Sequence, residues 1–299
     1  MDRAPTVKRI HGLPDPWHNI SMRLALYLVL LGACGDDDAA PPRADASPPP
    51  MGFARAPSRV DVFTNEAAGE TWTDAAVVLM AEAEPDAYRV DAEEGSCRRL
   101  VAVEAFCDPP CLTGVCLAGG TCEPWPTARS AGDVTIAGGA VSRTLVPPSY
   151  VVSELGLVFP AGEEVSASAQ GADYPGFRVA ATMSPPFDPT PAGITLVRGE
   201  PVTITWAPAD PEARVRLQLI ADRGHALVHP SVIECDVADG DGTITVPQAM
   251  IDAHADPANW SCGDCFSSWA TRYRAARTTT TSGDVDLWVG SRRSLYAVP

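Results

Sequence analysis

The stretch ARVRLQLIA (213–221) sets Val215, Leu217 and Leu219 against Arg214, Arg216 and Gln218. Apolar residues at every second position fit a strand, whose side chains alternate between two faces, and do not fit the 3.6-residue period of a helix. The same period recurs on both sides of it. Val134 and Ile136 alternate with Asp133, Thr135 and Ala137, and Val202, Ile204 and Trp206 alternate with Pro201, Thr203 and Thr205. Val285, Leu287 and Val289 alternate with Asp284, Asp286 and Trp288. Each run is expected to form a strand with one buried and one wet face. Turn-forming clusters separate the runs, at Pro185-Pro186, at 207–211 and at Asp239-Gly240-Asp241-Gly242. Short strands punctuated in this way argue for a mainly β chain, an antiparallel β-sandwich over residues 131–299. One helix fits, near Pro247 to His254, with Pro247 at the first helical position.

Toward the N-terminus the alternation reaches back to Arg59, where Val60, Val62 and Thr64 interleave with Asp61, Phe63 and Asn65. Residues 59–130 are read as strands followed by a disulfide-rich segment that joins the sandwich as one unit. Before it, residues 34–58 carry Asp36, Asp37 and Asp38 and then Pro41, Pro42, Pro48, Pro49 and Pro50. That composition buries too little apolar surface to offset its ordering entropy and reads as a solvated tether.

The one long apolar run is LALYLVLL (24–31), followed by Gly32, Ala33 and Cys34. It is too short for a permanent bilayer span and matches the apolar region of an export signal. Residues 1–33 are therefore read as a signal peptide. Because Pro14, Asp15 and Pro16 interrupt its basic end, Met22 and Val7 (from a GTG codon) are alternative translation starts. Leu31-Gly32-Ala33-Cys34 resembles the lipobox of bacterial lipoproteins. The resemblance implies that Cys34 is lipidated and becomes the mature N-terminus, placing the protein outside the cytoplasm on a bacterial envelope membrane, the outer in preference to the inner.

Charge and composition exclude several functions. Among 299 residues, 22 Lys plus Arg face 38 Asp plus Glu, a formal net charge of -16. A polyanion has nothing with which to release counterions from nucleic-acid phosphates. The only lysine is Lys8, in the leader, so no Schiff base, P-loop ammonium or S-x-x-K pair is available beyond it. There is no G-x-S-x-G and no H-E-x-x-H.

Nine cysteines are present. With Cys34 assigned to lipid, Cys97, Cys107, Cys111, Cys116, Cys122, Cys235, Cys262 and Cys265 remain, an even set that reads as a disulfide framework in an exported chain. Five lie at 97–122 and three at 235–265, so complete intramolecular pairing demands an odd number of bridges between the two groups. The connectivity stays open. Cys107 to Cys122 has a spacing that in principle holds zinc, a use disfavoured in an oxidising compartment.

The segments GSCRRL (95–100), FCDPPCLTGVCLAGGTCEPWP (106–126), AGDVTIAGG (131–139) and CDVADGDGTITVP (235–247) resemble an uncharacterised group of secreted and lipoprotein sequences from myxobacteria and their relatives. The resemblance implies an extracytoplasmic β protein and assigns no catalytic residue.

Four features carry chemistry of their own. Cys262-Gly263-Asp264-Cys265, two residues after Trp260, has the C-x-x-C form of a dithiol that exchanges disulfides. That dithiol wants a helix N-terminus, and the arginine-rich run that follows reads instead as strand or loop. Asp236, Asp239 and Asp241 crowd one turn and are calcium candidates, although an EF-hand alignment fails at Val237 and Gln248. His225 and His229 form a spaced pair beside Asp222, read as surface rather than metal. Trp206 belongs to the core, whereas Trp288, Trp269 and Tyr273 offer aromatic faces for stacking on a sugar. The leading expectation is a non-enzymatic lipoprotein without cofactor, its partners the bilayer through acylated Cys34 and an unidentified protein or glycan. The alternatives are a thiol-disulfide oxidoreductase using Cys262 and Cys265, and a carbohydrate- or calcium-dependent adhesion module.

Overall fold

The computed structural model describes residues 53, 55–67, 70–80, 82–83, 87–103, 107–108, 110–111, 113–117, 119–221, 229–256 and 268–298. Among these the backbone forms eighteen strands and one α-helix. In chain order they are β1 (Ser58–Ala67), β2 (Glu70–Val78), β3 (Tyr88–Glu94), β4 (Cys97–Ala102), β5 (Gly114–Leu117), β6 (Thr121–Pro124), β7 (Val134–Gly138), β8 (Val141–Leu145) and β9 (Val151–Leu155). Then follow β10 (Glu164–Gly171), β11 (Pro175–Thr182), β12 (Gly193–Thr195), β13 (Val202–Thr205), β14 (Arg214–Ala221), β15 (Ser231–Ala238), β16 (Thr243–Val246), α1 (Gln248–His254), β17 (Ser268–Thr280) and β18 (Gly283–Val298).

The largest sheet runs β3-β4-β15-β14-β17-β18-β1-β2-β9, with β12 added alongside β18. A second sheet runs β11-β10-β7-β8, and β13-β16 and β5-β6 are two-stranded ribbons. The chain is mainly β, as its periodicity predicts. It departs from the antiparallel expectation at two places, where β1 and β12 each lie parallel to β18. Alternation is the same in parallel and antiparallel strands, so strand direction was not legible from it.

Length explains how one sheet supports two cores. The 16 residues of β18 extend about 54 Å and the 13 of β17 about 44 Å at the usual strand rise. Over the first stretch of β18, Val285, Leu287 and Val289 pack with Val60 and Val62 of β1 against Val134, Ile136, Val165, Phe177 and Val179 of the four-stranded sheet. Farther along, Leu295 and Ala297 join Leu217, Leu219 and Ile233 beneath Ile204, Ile244, Val246, Met250 and Ile251, which belong to the β13-β16 ribbon and α1. Ser291 marks the changeover, its Oγ accepting a 3.1 Å hydrogen bond from the Phe187 amide. Each fully buried leucine here contributes about 1.5–3 kcal/mol of transfer free energy.

The predicted helix forms, with a one-residue correction: Pro247 caps α1 from outside instead of occupying its first turn. Its carbonyl accepts from the Met250 and Ile251 amides at 3.0 and 3.2 Å. Met250, Ile251 and His254 are buried and dock the helix on the second core.

Among the described residues three disulfides tie the fold together. Cys97 and Cys235 stand opposite one another on β4 and β15 and are bonded, joining the two cysteine groups across a separation of 138 residues. Cys107–Cys116 and Cys111–Cys122 staple the β5-β6 ribbon. Cys262 and Cys265 lie outside the described residues.

Candidate functional site

One face of the large sheet packs on the two cores, and the composition of the other is unusual. Residues paired in register point to the same side, so the pairing identifies that outer face. Across β4, β15 and β14 it carries Arg98 beside Glu234, Glu234 beside Gln218, and Asp236 beside Arg216. Across β17, β18 and β1 it carries Arg277 beside Asp286, Asp61 beside Trp288, Phe63 beside Gly290 and Asn65 beside Arg292. Alternation predicts a wet face here. The structure overturns that at its centre, where Asp286 is 0% exposed, Trp288 and Tyr273 3%, and Phe63 5%.

Pairing of charge explains why these groups tolerate burial. Asp236 accepts from Arg214 Nε at 2.5 Å, Arg216 Nε at 2.8 Å and the Tyr273 hydroxyl at 2.6 Å. Glu234 accepts from Arg98 Nη2 at 2.7 Å and from Gln218 Nε2 at 2.9 Å. Asp286 takes Arg277 Nε at 2.6 Å and the Ala56 amide at 2.7 Å. Aromatic rings fill the space between the charges. Tyr273 stacks on Trp288 with centroids 4.4 Å apart, and the guanidinium carbons of Arg216 and Arg55 each lie 4.8 Å from the Trp288 ring. Phe53 covers Arg98 at 4.1 Å. Such pairs orient a surface more than they stabilise it, because desolvation consumes much of the Coulomb gain.

The titration behaviour follows from this packing. Burial, reinforced by Asp236 and opposed by Arg216, pushes the Tyr273 hydroxyl well above the ordinary phenol value, keeping it a donor. Burial also pushes the Glu234 carboxyl up, but hydrogen bonds and charge from Arg98, with Arg216 and Arg55 adding, win and hold it below the usual carboxylate range. Desolvation and then the Arg216 charge lower Arg55 to about 10.

At the β1-β18 seam the pairing is incomplete. Asn65 Oδ1, Trp288 Nε1 and Arg292 Nε are buried without a hydrogen-bond partner among the described residues. Arg292 lies 4.1 Å from the Phe63 ring and 5.4 Å from the Trp269 ring. Its pKa is lowered by burial, with Asp61 and Asp74 opposing. Native proteins leave few buried polar atoms unpaired, so these three set the seam apart from the fully paired charges beside it.

The residues singled out from the sequence fare differently. The calcium candidates do not converge. Asp236 faces outward to Arg214 and Arg216, whereas Asp239 is engaged on the opposite side of the sheet, where its Oδ1 accepts from Arg272 Nε at 2.8 Å and its Oδ2 from the Ala209 and Asp210 amides. Asp241 is exposed at the turn. Residues two apart on a strand share a face, but the chain leaves β15 after Ala238 and that rule no longer applies. Among the described residues no three His, Cys, Asp or Glu side chains form a group that could hold a metal.

Trp206 is core, 8% exposed, its indole nitrogen donating to the Asp239 carbonyl at 2.9 Å. Trp288 and Tyr273 are not the open sugar platforms expected, since they stack on one another beneath arginines. Trp269 alone of the three is half-buried. His229 is half-buried, and His225 lies outside the described residues, as does Cys34. His254 meets Ser231 Oγ at 2.9 Å, but both are 0% exposed, so no substrate reaches this pair. The sequence reading missed Arg98, Asn65 and Arg292. Their signal is the placing of arginine opposite acid or amide on neighbouring strands, which needs the register to be seen.

Disulfides are consistent with an extracytoplasmic protein, and among the described residues no helix is long and apolar enough to cross a membrane. No protein-family model matches the chain, and no curated protein matches it.

Proposed function

We propose that this protein is an exported lipoprotein, held at a bacterial envelope membrane by acyl chains on Cys34, with a non-enzymatic binding or structural role. Three bridges within one body support an oxidising location, and the Leu31-Gly32-Ala33-Cys34 motif supports the anchor. The observation that supports the binding role is the outer sheet face, where arginines, carboxylates and aromatic rings interleave in register and half-buried Trp269 lies beside Arg292. Its other charges are spent on one another, which suits a rigid recognition surface better than a site that must change protonation during turnover.

The anchor is tested by substitution. Cys34→Ser is expected to move the protein from the membrane fraction to the soluble extracytoplasmic fraction with its far-UV circular dichroism unchanged. Intact-mass analysis of the native chain is expected to find acyl mass on Cys34. A mature chain without it defeats the lipoprotein reading.

A further inference from the structure

Beside the first core, the inner face of the large sheet ends in a layer of hydroxyls. Paired in register, Val60 and Val62 of β1 stand beside Leu287 and Val289 of β18 on one side and beside Val77 and Ala75 of β2 on the other. One layer on, Thr64 stands between Ser291 and Thr73, and beyond it Glu66 stands between Arg293 and Thr71. Three strands thus turn from apolar to polar at the same level. A cavity of about 80 Å³ lies there, walled from across the core by Phe159, Met183 and Ser184. Its floor is built from buried groups, Thr64, Ser184 and Ser291 among them, and its mouth is open beside Val158, which is 42% exposed.

Hydrogen bonding restricts what this cavity accepts. Ser184 Oγ donates its proton to the Arg272 carbonyl at 3.0 Å, and Thr73 Oγ1 donates to the Leu157 carbonyl at 2.7 Å. Thr73 then has no proton left for its 3.5 Å contact with Thr64, so Thr64 is the donor there. Thr64 and Ser184 therefore turn lone pairs toward the cavity, while Thr71 and Ser291 accept or donate as any hydroxyl does. The one charged lining group is the Glu66 carboxylate. Arg293 Nη2 is shared between Glu66 at 3.0 Å and Asp188 at 3.2 Å, which leaves one negative charge in excess at the mouth. Arg272, deeper in, is neutralised by Asp239.

We infer that this cavity binds a short primary alkylammonium ion. The three N–H donors of such an ion match the acceptors Glu66, Thr64 and Ser184, and its hydrocarbon meets Phe159 and Met183. A cavity of about 150 Å³ takes benzene, so one of about 80 Å³ takes about three heavy atoms. A hard metal ion fits worse. Calcium wants about six to eight oxygens, whereas apolar side chains form half of this lining, and among the described residues no three His, Cys, Asp or Glu side chains converge. The cavity lies on the inner side of the sheet, and the inference depends on neither the outer face nor the lipid anchor.

The test uses the full chain carrying Cys34→Ser, with carbon-13-labelled methionine methyl groups and the Met183 signal assigned from Met183→Leu. Ethylammonium chloride is expected to shift that signal saturably, with half-saturation at about 1–10 mM, the range open to so small a ligand. Ethanol, of the same size without the charge, and sodium chloride, a cation without hydrocarbon, are expected to leave it in place at the same concentrations. Glu66→Gln keeps the shape and removes the charge, and is expected to weaken binding about tenfold or more. Ala161→Trp fills the mouth from an exposed position and is expected to abolish the shift with far-UV circular dichroism unchanged. Three results overturn the inference: a wild-type Met183 signal that ethylammonium does not move, an equal shift with ethanol or sodium, or undiminished binding by either variant.

Discussion

His254 makes the stability of this protein sensitive to pH between neutrality and pH 5. Its ring is 0% exposed, and burial, with the Arg99 charge adding, lowers its pKa to about 3. An unfolded histidine titrates near 6.5. Between these values the unfolded chain holds a proton that the folded chain lacks, so stability is complete above about pH 6.5 and falls as pH drops toward 3. At 1.36 kcal/mol per unit, lowering the pH from 7 to 5 removes about 2 kcal/mol. Asp210 and Glu234 also have lowered values, but their contributions are lost only below the unfolded carboxylate range near pH 4. The assay is urea unfolding at pH 7, 6 and 5 for the wild type and for His254→Gln, which keeps a polar group near Ser231 and cannot charge. The wild type is expected to lose about 2 kcal/mol more than the variant over that interval. Parallel losses, or an imidazole NMR titration of the folded protein with its midpoint above pH 6, would refute the argument that burial holds this ring neutral.

The bond between Arg272 and Asp239 is wholly buried, and Arg272 also donates to the Pro186 and Ala207 carbonyls at 2.6 and 2.7 Å. Arg272→Met strands the carboxylate and is expected to cost about 3–5 kcal/mol in denaturant unfolding. Replacing both Cys97 and Cys235 by alanine frees a long loop and is expected to cost about 2–5 kcal/mol by the same assay, without loss of the Cys107–Cys116 and Cys111–Cys122 bridges on a non-reducing peptide map. That map is also expected to find Cys262 bonded to Cys265. A potential below about -300 mV, with no insulin reduction, marks that bond as structural, whereas titration near -200 mV with turnover would promote an oxidoreductase.

Some of this architecture is visible in local sequence. Val215, Leu217 and Leu219, like Val285, Leu287 and Val289, announce strands because a period of two is set by backbone geometry alone. Pro247 locates the start of α1 to within one residue because its ring is tolerated only at a helix entrance. The parity of the cysteines demands a bridge between their two groups, and Cys97–Cys235 supplies it without having been identifiable in advance. The resemblance of Leu31-Gly32-Ala33-Cys34 to a lipobox is local as well, since it rests on contiguous residues.

Which face of a strand is buried, and by what, depends on neighbours far away in the chain. Asp286 and Trp288 share the polar side of their strand and look solvated in sequence. They are buried because β17 supplies Arg277 and Tyr273, and because Arg55 and Ala56 lie against them from a segment more than 200 residues earlier. Asp236 and Asp239 look like one acidic cluster three residues apart, yet they serve opposite sides of the sheet. Among the described residues β2 and β9 likewise lie outermost because β1 crosses to pair parallel with β18. Alternation specifies that a residue faces one side or the other, and burial of an ion pair requires both partners to arrive on that same side in register. That information is carried by the pairing of distant strands, which no local pattern contains.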